Sequence, residues 1–126
     1  MDKNIRLFME KLKETLDFHR VKFVILYGSR IESRARKDSD YDFAIYYNGN
    51  KDQKYQFLLN VSFDRRFDVK IFQDLPLFIR KDVLRGKIIY AENVDFVYEV
   101  AYQTVKDLGR FEKYYYEYIR GRPIVR

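Results

Sequence analysis

Three aspartates and a glycine–serine pair carry the chemistry this sequence can offer. Asp40 and Asp42 lie two apart in Asp40-Tyr41-Asp42, just ahead of Phe43-Ala44-Ile45-Tyr46-Tyr47. On an extended strand such residues project to one face. Two carboxylates side by side repel each other unless a cation or a proton sits between them. Asp68 stands inside Phe67-Asp68-Val69-Lys70-Ile71-Phe72, where a carboxylate is costly unless it is paired, metal-bound or at the strand's edge. Alternation puts it opposite Phe67, Val69 and Ile71, so it can join Asp40 and Asp42 if their strands are neighbours. Upstream, Leu26-Tyr27 gives way to Gly28-Ser29, and ten residues separate that pair from Asp40. Gly28 lacks a Cβ, so its backbone can turn sharply and approach a phosphate. Ser29 adds a hydroxyl and an amide where a helix would begin, a natural anion site. Mg²⁺ favours carboxylate oxygens together with substrate phosphates. The set therefore specifies metal-dependent phosphoryl or nucleotidyl transfer.

The remaining composition leaves few rivals to that chemistry. The 126 residues contain no Cys and a single His. Disulfide frameworks, thiolate metal sites and thiol nucleophiles are excluded, and a His-rich zinc site is disfavoured. His19 follows an amphipathic helix, where a cationic side chain at the C-terminal end is favourable anyway, so its role reads as structural. Lys and Arg number 25 against 19 Asp and Glu, a net +6 with both signs interspersed. That balance admits a polyanion partner, although +6 is not extreme. The longest apolar run, Phe23 to Tyr27, is far too short to span a membrane. No signal-peptide pattern opens the chain, and a cytoplasmic protein of one domain, residues 1–126, is expected.

The elements that must position these residues follow from periodicity. Ile5, Phe8, Met9, Leu12 and Leu16 mark an amphipathic helix from about Asp2 to Phe18. Strands are expected at Val21–Tyr27, Tyr41–Tyr47, Arg66–Phe72 and Lys87–Tyr90. Ser29 to Lys37 has room for one or two helical turns. Asn48-Gly49-Asn50 is a turn, after which Lys51 to about Phe63 reads as a helix with Tyr55, Leu58, Leu59 and Ser62 on one side. Pro76 can start a helix that runs to Arg85 and ends at Gly86. A long helix is expected from Asn93 to Ile119, its apolar face built by Phe96, Val97, Val100, Ala101, Thr104, Val105 and Leu108, with Gly109 as a possible break or bend. Helices and strands alternate, so the fold class is α/β (α+β): a small sheet with helices packed on it.

Other polar and aromatic residues admit blander roles. Asp38 and Ser39 suit a turn or a cap. Arg34, Arg36 and Lys37 fit either a nucleotide-steering cluster or a solvated loop. Tyr114, Tyr115, Tyr116 and Tyr118, with Phe111 and Ile119, fit helical core or interface positions, a better clue to a protein partner than to nucleic acid. Arg120, Arg122 and Arg126 form a basic tail whose simplest reading is a solvated terminus, with phosphate or RNA contact as the alternative.

Taken together, Gly28-Ser29, the ten-residue spacer, Asp40-x-Asp42 and Asp68 resemble the minimal nucleotidyltransferases (MNT) of the DNA polymerase beta superfamily. Leu75-Pro76-Leu77, and Asp82 through Tyr90, are similar to that family's helix followed by a short strand. The segment Phe111-Glu112-Lys113-Tyr114 has the character of its final helix. The sequence departs from the pattern at Ser33, where the family usually has Gly. The resemblance implies the nucleotidyltransferase fold, a small mixed sheet with a long C-terminal helix. It also implies ATP as substrate and two Mg²⁺ ions held by Asp40, Asp42 and Asp68. Gly28, Ser29 and Arg30 would hold the β- and γ-phosphates. The family further implies a HEPN-domain partner. In that reading this chain is the antitoxin of a type VII-like toxin–antitoxin pair and transfers AMP to a tyrosine of the HEPN toxin. Transfer to a small hydroxylated molecule, or neutralisation by binding alone, are the alternatives.

Overall fold

The computed structural model describes residues 2–28 and 40–120 of the chain. The helical turns anticipated over residues 29–37 lie outside them. Helix α1 (Lys3–Lys13) is capped by Asp2, whose carboxylate accepts from the Asn4 amide at 2.7 Å, satisfying one of the amides a helix start leaves open. Its apolar stripe, Ile5, Phe8, Met9 and Leu12, is buried. The helix stops five residues short of the expected end. Thr15 donates both its amide and its hydroxyl to the Leu12 carbonyl, closing the last turn, and a short 3₁₀ turn follows at Phe18–Arg20. Leu16, expected on the core stripe, is therefore 99% exposed.

Four strands among the described residues make one mixed sheet: β1 (Val21–Tyr27), β2 (Tyr41–Tyr47), β3 (Phe67–Ile71) and β4 (Lys87–Ala91), in the order β3-β2-β1-β4. Strand β1 is antiparallel to both β2 and β4, while β2 and β3 run parallel. The crossover between the parallel pair contains α2 (Lys51–Val61), as a parallel connection requires. A reciprocal capping box starts α2: the Gln53 amide donates to Asn50 Oδ1 at 2.8 Å, and the Asn50 amide donates to Gln53 Oε1 at 2.9 Å. Phe57 and Val61 are its buried residues, whereas Tyr55 and Leu59 are exposed. Leu58, on the expected side, is half-buried against the same core, so the buried face of this weakly amphipathic helix is rotated from the expected one and takes in Phe57 and Val61.

Period-two alternation gives the sheet two unlike faces. One buries Val24, Leu26, Tyr41, Phe43, Ile45, Tyr47, Phe67 and Ile71 against α1 and α2, with Phe8 stacked on Phe43 at 4.0 Å between ring centres. The other carries Phe23, Ile25, Ala44 and Phe72, packed against Val83 of α3 (Leu77–Val83) and Val97 of α4 (Val94–Arg120). The turn after α3 lies against β1: a Cβ at Gly86 would collide with the Leu26 carbonyl oxygen. Close approach is what this position demands, since among the described residues positive φ occurs at Gly28 alone. Helix α4 runs through Gly109 without interruption. Its buried stripe includes Val97, Thr104 and Leu108, and Val105 is exposed.

Candidate active site

Register across three strands builds the site. Tyr27 on β1 pairs with Asp42 on β2, and Asp42 pairs with Asp68 on β3. Residues opposite one another in a sheet project to the same face. All three therefore lie on the α3/α4 face, at the first row of β2 and β3. Behind them the same face becomes apolar at Ile25, Ala44 and Phe72. The acids thus sit where the strands emerge from the core, half-buried rather than sealed.

Gly28 follows β1 with φ 79°, and a Cβ there would lie 2.5 Å from Asp42 Oδ2. Two requirements meet at this glycine: left-handed backbone and vacant space beside a carboxylate. Asp42 feels the consequences of its crowding. Its pKa is raised, chiefly by burial, then by the negative charge of Asp68, with a hydrogen bond between the two carboxyls and the charge of Asp40 adding to the effect. Lys70 acts in the opposite sense. Its ammonium lies 3.5 Å from Asp68 Oδ2, two residues along the same strand face. Burial, helped by the charges of Asp42 and Asp68, pushes the Tyr27 phenol up to about 12, so it stays protonated at neutral pH.

Of the residues singled out by sequence, Asp42, Asp68 and Gly28 come together. Asp40 precedes β2 by one residue and is exposed, close enough for its charge to reach Asp42. Among the described residues no three His, Asp or Glu side chains form a ready-made metal cluster. The expected triad is a pair in this structure, with the third carboxylate beside it. Ser29 and Arg30 lie outside the described residues, as do Arg34, Arg36, Lys37, Asp38 and Ser39. His19 is exposed in the 3₁₀ turn after α1. Two neighbours of the acid pair escaped the sequence reading, Tyr27 and Lys70. Lys70 was legible, because period-two alternation puts it on the face of Asp68. Tyr27 follows only from the β1–β2 register.

The donor set fits a hard divalent cation. It consists of carboxylate oxygens crowded together, with the Asp42 pKa lifted first by burial and then by the charge of Asp68, and a cation between them would relieve that repulsion. Asp42 and Asp68, with Asp40 adjacent, would hold it.

Comparison with known proteins places the chain in a family and a fold. The model for "Polymerase beta, Nucleotidyltransferase" matches residues 10–95, a span that contains Gly28 and all three aspartates. A candidate protein adenylyltransferase of Methanocaldococcus jannaschii is 29% identical over 73 residues, which make up 57% of this chain and 57% of that protein. Among solved structures, a chain of a toxin–antitoxin crystallised with AMP-PNP superposes with a TM-score of 0.71 at 16% identity, covering 93% of this chain and 96% of that one. The MntA–HepT toxin–antitoxin gives 0.67 at 13%, covering 93% and 94%. A complex of tri-AMPylated HEPN toxin with MNT antitoxin from Shewanella oneidensis gives 0.66 at 13%, covering 93% of each chain. At these identities the structural likeness is one of fold, and the family rests on the sequence model. With a match spanning most of its length and the acid pair in register beside Gly28, the chain belongs to the polymerase beta nucleotidyltransferase family.

Proposed function

We propose that this protein transfers AMP from ATP to a hydroxyl, with a tyrosine of a HEPN-domain toxin as acceptor, and so acts as the antitoxin of a type VII-like pair. The observation that carries the reading is the registered Asp42–Asp68 pair beside the Cβ-free Gly28, in a chain of the nucleotidyltransferase family. Mg²⁺ held by Asp40, Asp42 and Asp68 would neutralise phosphate charge and lower the pKa of the acceptor hydroxyl. Gly28 leaves the Asp42 carboxylate its space and lets the backbone approach the triphosphate. Ser29 and Arg30 follow it directly and would hold the β- and γ-phosphates. Asp68 would complete the cation site and lower the acceptor hydroxyl's pKa or take its proton. The acceptor oxygen then attacks the α-phosphorus, pyrophosphate leaves, and AMP remains on the acceptor as a phosphodiester.

Support for the partner comes from the fold relatives, which include an MNT antitoxin bound to an AMPylated HEPN toxin, and from the archaeal candidate protein adenylyltransferase. The chain's own surface offers a place for it. Helix α4 is 27 residues long, about 40 Å, and its last half exposes Phe111, Tyr114, Tyr115, Tyr116 and Tyr118 by 46–67%.

Co-expression with the partner toxin tests this reading in cells. Wild type should restore growth, and Asp40→Ala and Asp42→Asn should not. Rescue by both variants equal to wild type would show neutralisation by binding alone.

A further inference from the structure

Among the described residues, Lys70 is a basic residue on the acid pair's own face. Its Nζ lies 3.5 Å from Asp68 Oδ2, and the two side chains are 49% and 46% exposed. It stands on β3, an edge strand, opposite Ala44 of β2. A lysine here is a choice with electrostatic consequences. Its positive charge neutralises part of the carboxylate charge, and thereby opposes a bare divalent cation that needs the same oxygens. A cation carried in on a nucleoside triphosphate is a different object. That complex is a net anion, and the same ammonium attracts it.

We propose that Lys70 is a positioning residue that couples cation binding to nucleotide binding: it holds Asp68, weakens binding of the bare metal, and favours the metal–triphosphate complex. This rests on the reading of Asp42 and Asp68 as cation ligands. The empty site then keeps only part of its carboxylate charge compensated and fills as a unit with its substrate. The coupling needs no conformational change. It follows from the sign of the incoming net charge at a fixed position, acting over a few ångström in a partly solvated site where Coulomb interactions retain useful strength.

The test is a pair of affinities measured on the full chain. Mn²⁺ alone is titrated by the loss of its free electron-paramagnetic-resonance signal, and Mn²⁺ with AMP-PNP by calorimetry. Lys70→Met should bind Mn²⁺ alone about three- to tenfold more tightly and the Mn²⁺–AMP-PNP complex about three- to tenfold more weakly. Lys70→Arg should keep both values near wild type. Lys70→Gln provides a second neutral replacement, and thermal unfolding checks that each variant is folded. Opposite shifts in the two affinities support the proposal, because a merely structural role would move both the same way. Shifts of equal sign, or no shift, overturn it. Asp42→Asn separates the two layers: if wild-type Mn²⁺ binding survives this change, the ligand assignment itself fails. If binding is lost in Asp42→Asn yet Lys70→Met leaves both affinities unmoved, the role of Lys70 alone is refuted.

Discussion

A methyl group at position 28 would enter the space held by the Asp42 carboxylate, and the backbone there has φ 79°. Gly28→Ala therefore combines a left-handed alanine with a displaced acid. We expect a loss of about 1–2 kcal/mol, read as a midpoint drop of several degrees in thermal unfolding, together with loss of nucleotidyl transfer. Asp42 should behave in the opposite way. Its folded pKa is raised by burial and by Asp68, so the folded chain holds this proton longer than the unfolded chain. Stability from this group is then greatest below the ordinary carboxylate range and declines as pH climbs through the raised value. Asp42→Asn should raise stability at pH 7, by less than about 1 kcal/mol because the site is partly solvated, while abolishing transfer. Urea unfolding checks the sign: the advantage of the variant should shrink as pH falls toward 4. The identity of these residues was legible in the sequence because their roles depend on composition and period. A glycine ends a strand, and acids alternate with apolar neighbours. The partners of the acids were not legible, since Tyr27 joins them through β1–β2 register, which no local pattern encodes.

Elements divide in the same manner. The four strands are strongly β-branched and aromatic, and each was readable to within a residue or two. Helix α1 ended early because Thr15 closes its last turn on Leu12, a local hydrogen bond that competes with the apolar period. Helix α2 misled because Tyr55 and Leu59 are apolar yet exposed, while Phe57 and Val61 lie under the sheet. Phe57 stacks on Tyr47 with ring centres 4.4 Å apart, and Tyr47 donates its hydroxyl to Asp17 Oδ2 at 2.6 Å, tying the end of β2 to the segment after α1. Burial and this hydrogen bond push the Tyr47 phenol up to about 12. Its folded pKa exceeds the ordinary 10.0, so the stability it contributes is complete below pH 10 and is lost as pH rises toward 12. Tyr47→Phe should be less stable than wild type at pH 8, by about 1–2 kcal/mol, and the gap should narrow above pH 10 in urea titrations. Helix α4 carries a different expectation. Its core stripe continues past Leu108 to Phe111 and Tyr115, where the rings are about half exposed and Phe111 packs edge-on against Phe78. Phe111→Asp and Tyr115→Glu should leave the thermal midpoint within a few degrees of wild type. Both should weaken binding to the HEPN partner at least tenfold in a pull-down or calorimetric titration, because buried aromatics dominate such interfaces.

At the scale of the whole molecule, the chain presents a face carrying the Asp42–Asp68 pair and a helix with an exposed aromatic end, with no helix among the described residues long and apolar enough to cross a membrane. Absence of Cys and scarcity of His are consistent with a reaction run on carboxylates and a hard cation. The net charge of +6 favours approach of an anionic nucleotide, an effect that added salt should diminish. What composition could not encode is the acceptor, because specificity for the proposed tyrosine of a partner would belong to a surface formed only in the complex. The most direct measurement is therefore the intact mass of the purified HEPN partner after incubation with this protein, ATP and Mg²⁺, with peptide mapping of any adduct. Wild type should add one or more AMP units to a partner tyrosine, and Asp42→Asn should leave the partner unmodified. A partner that stays unmodified in the wild-type reaction, or one equally modified by Asp42→Asn, would contradict the proposed transfer.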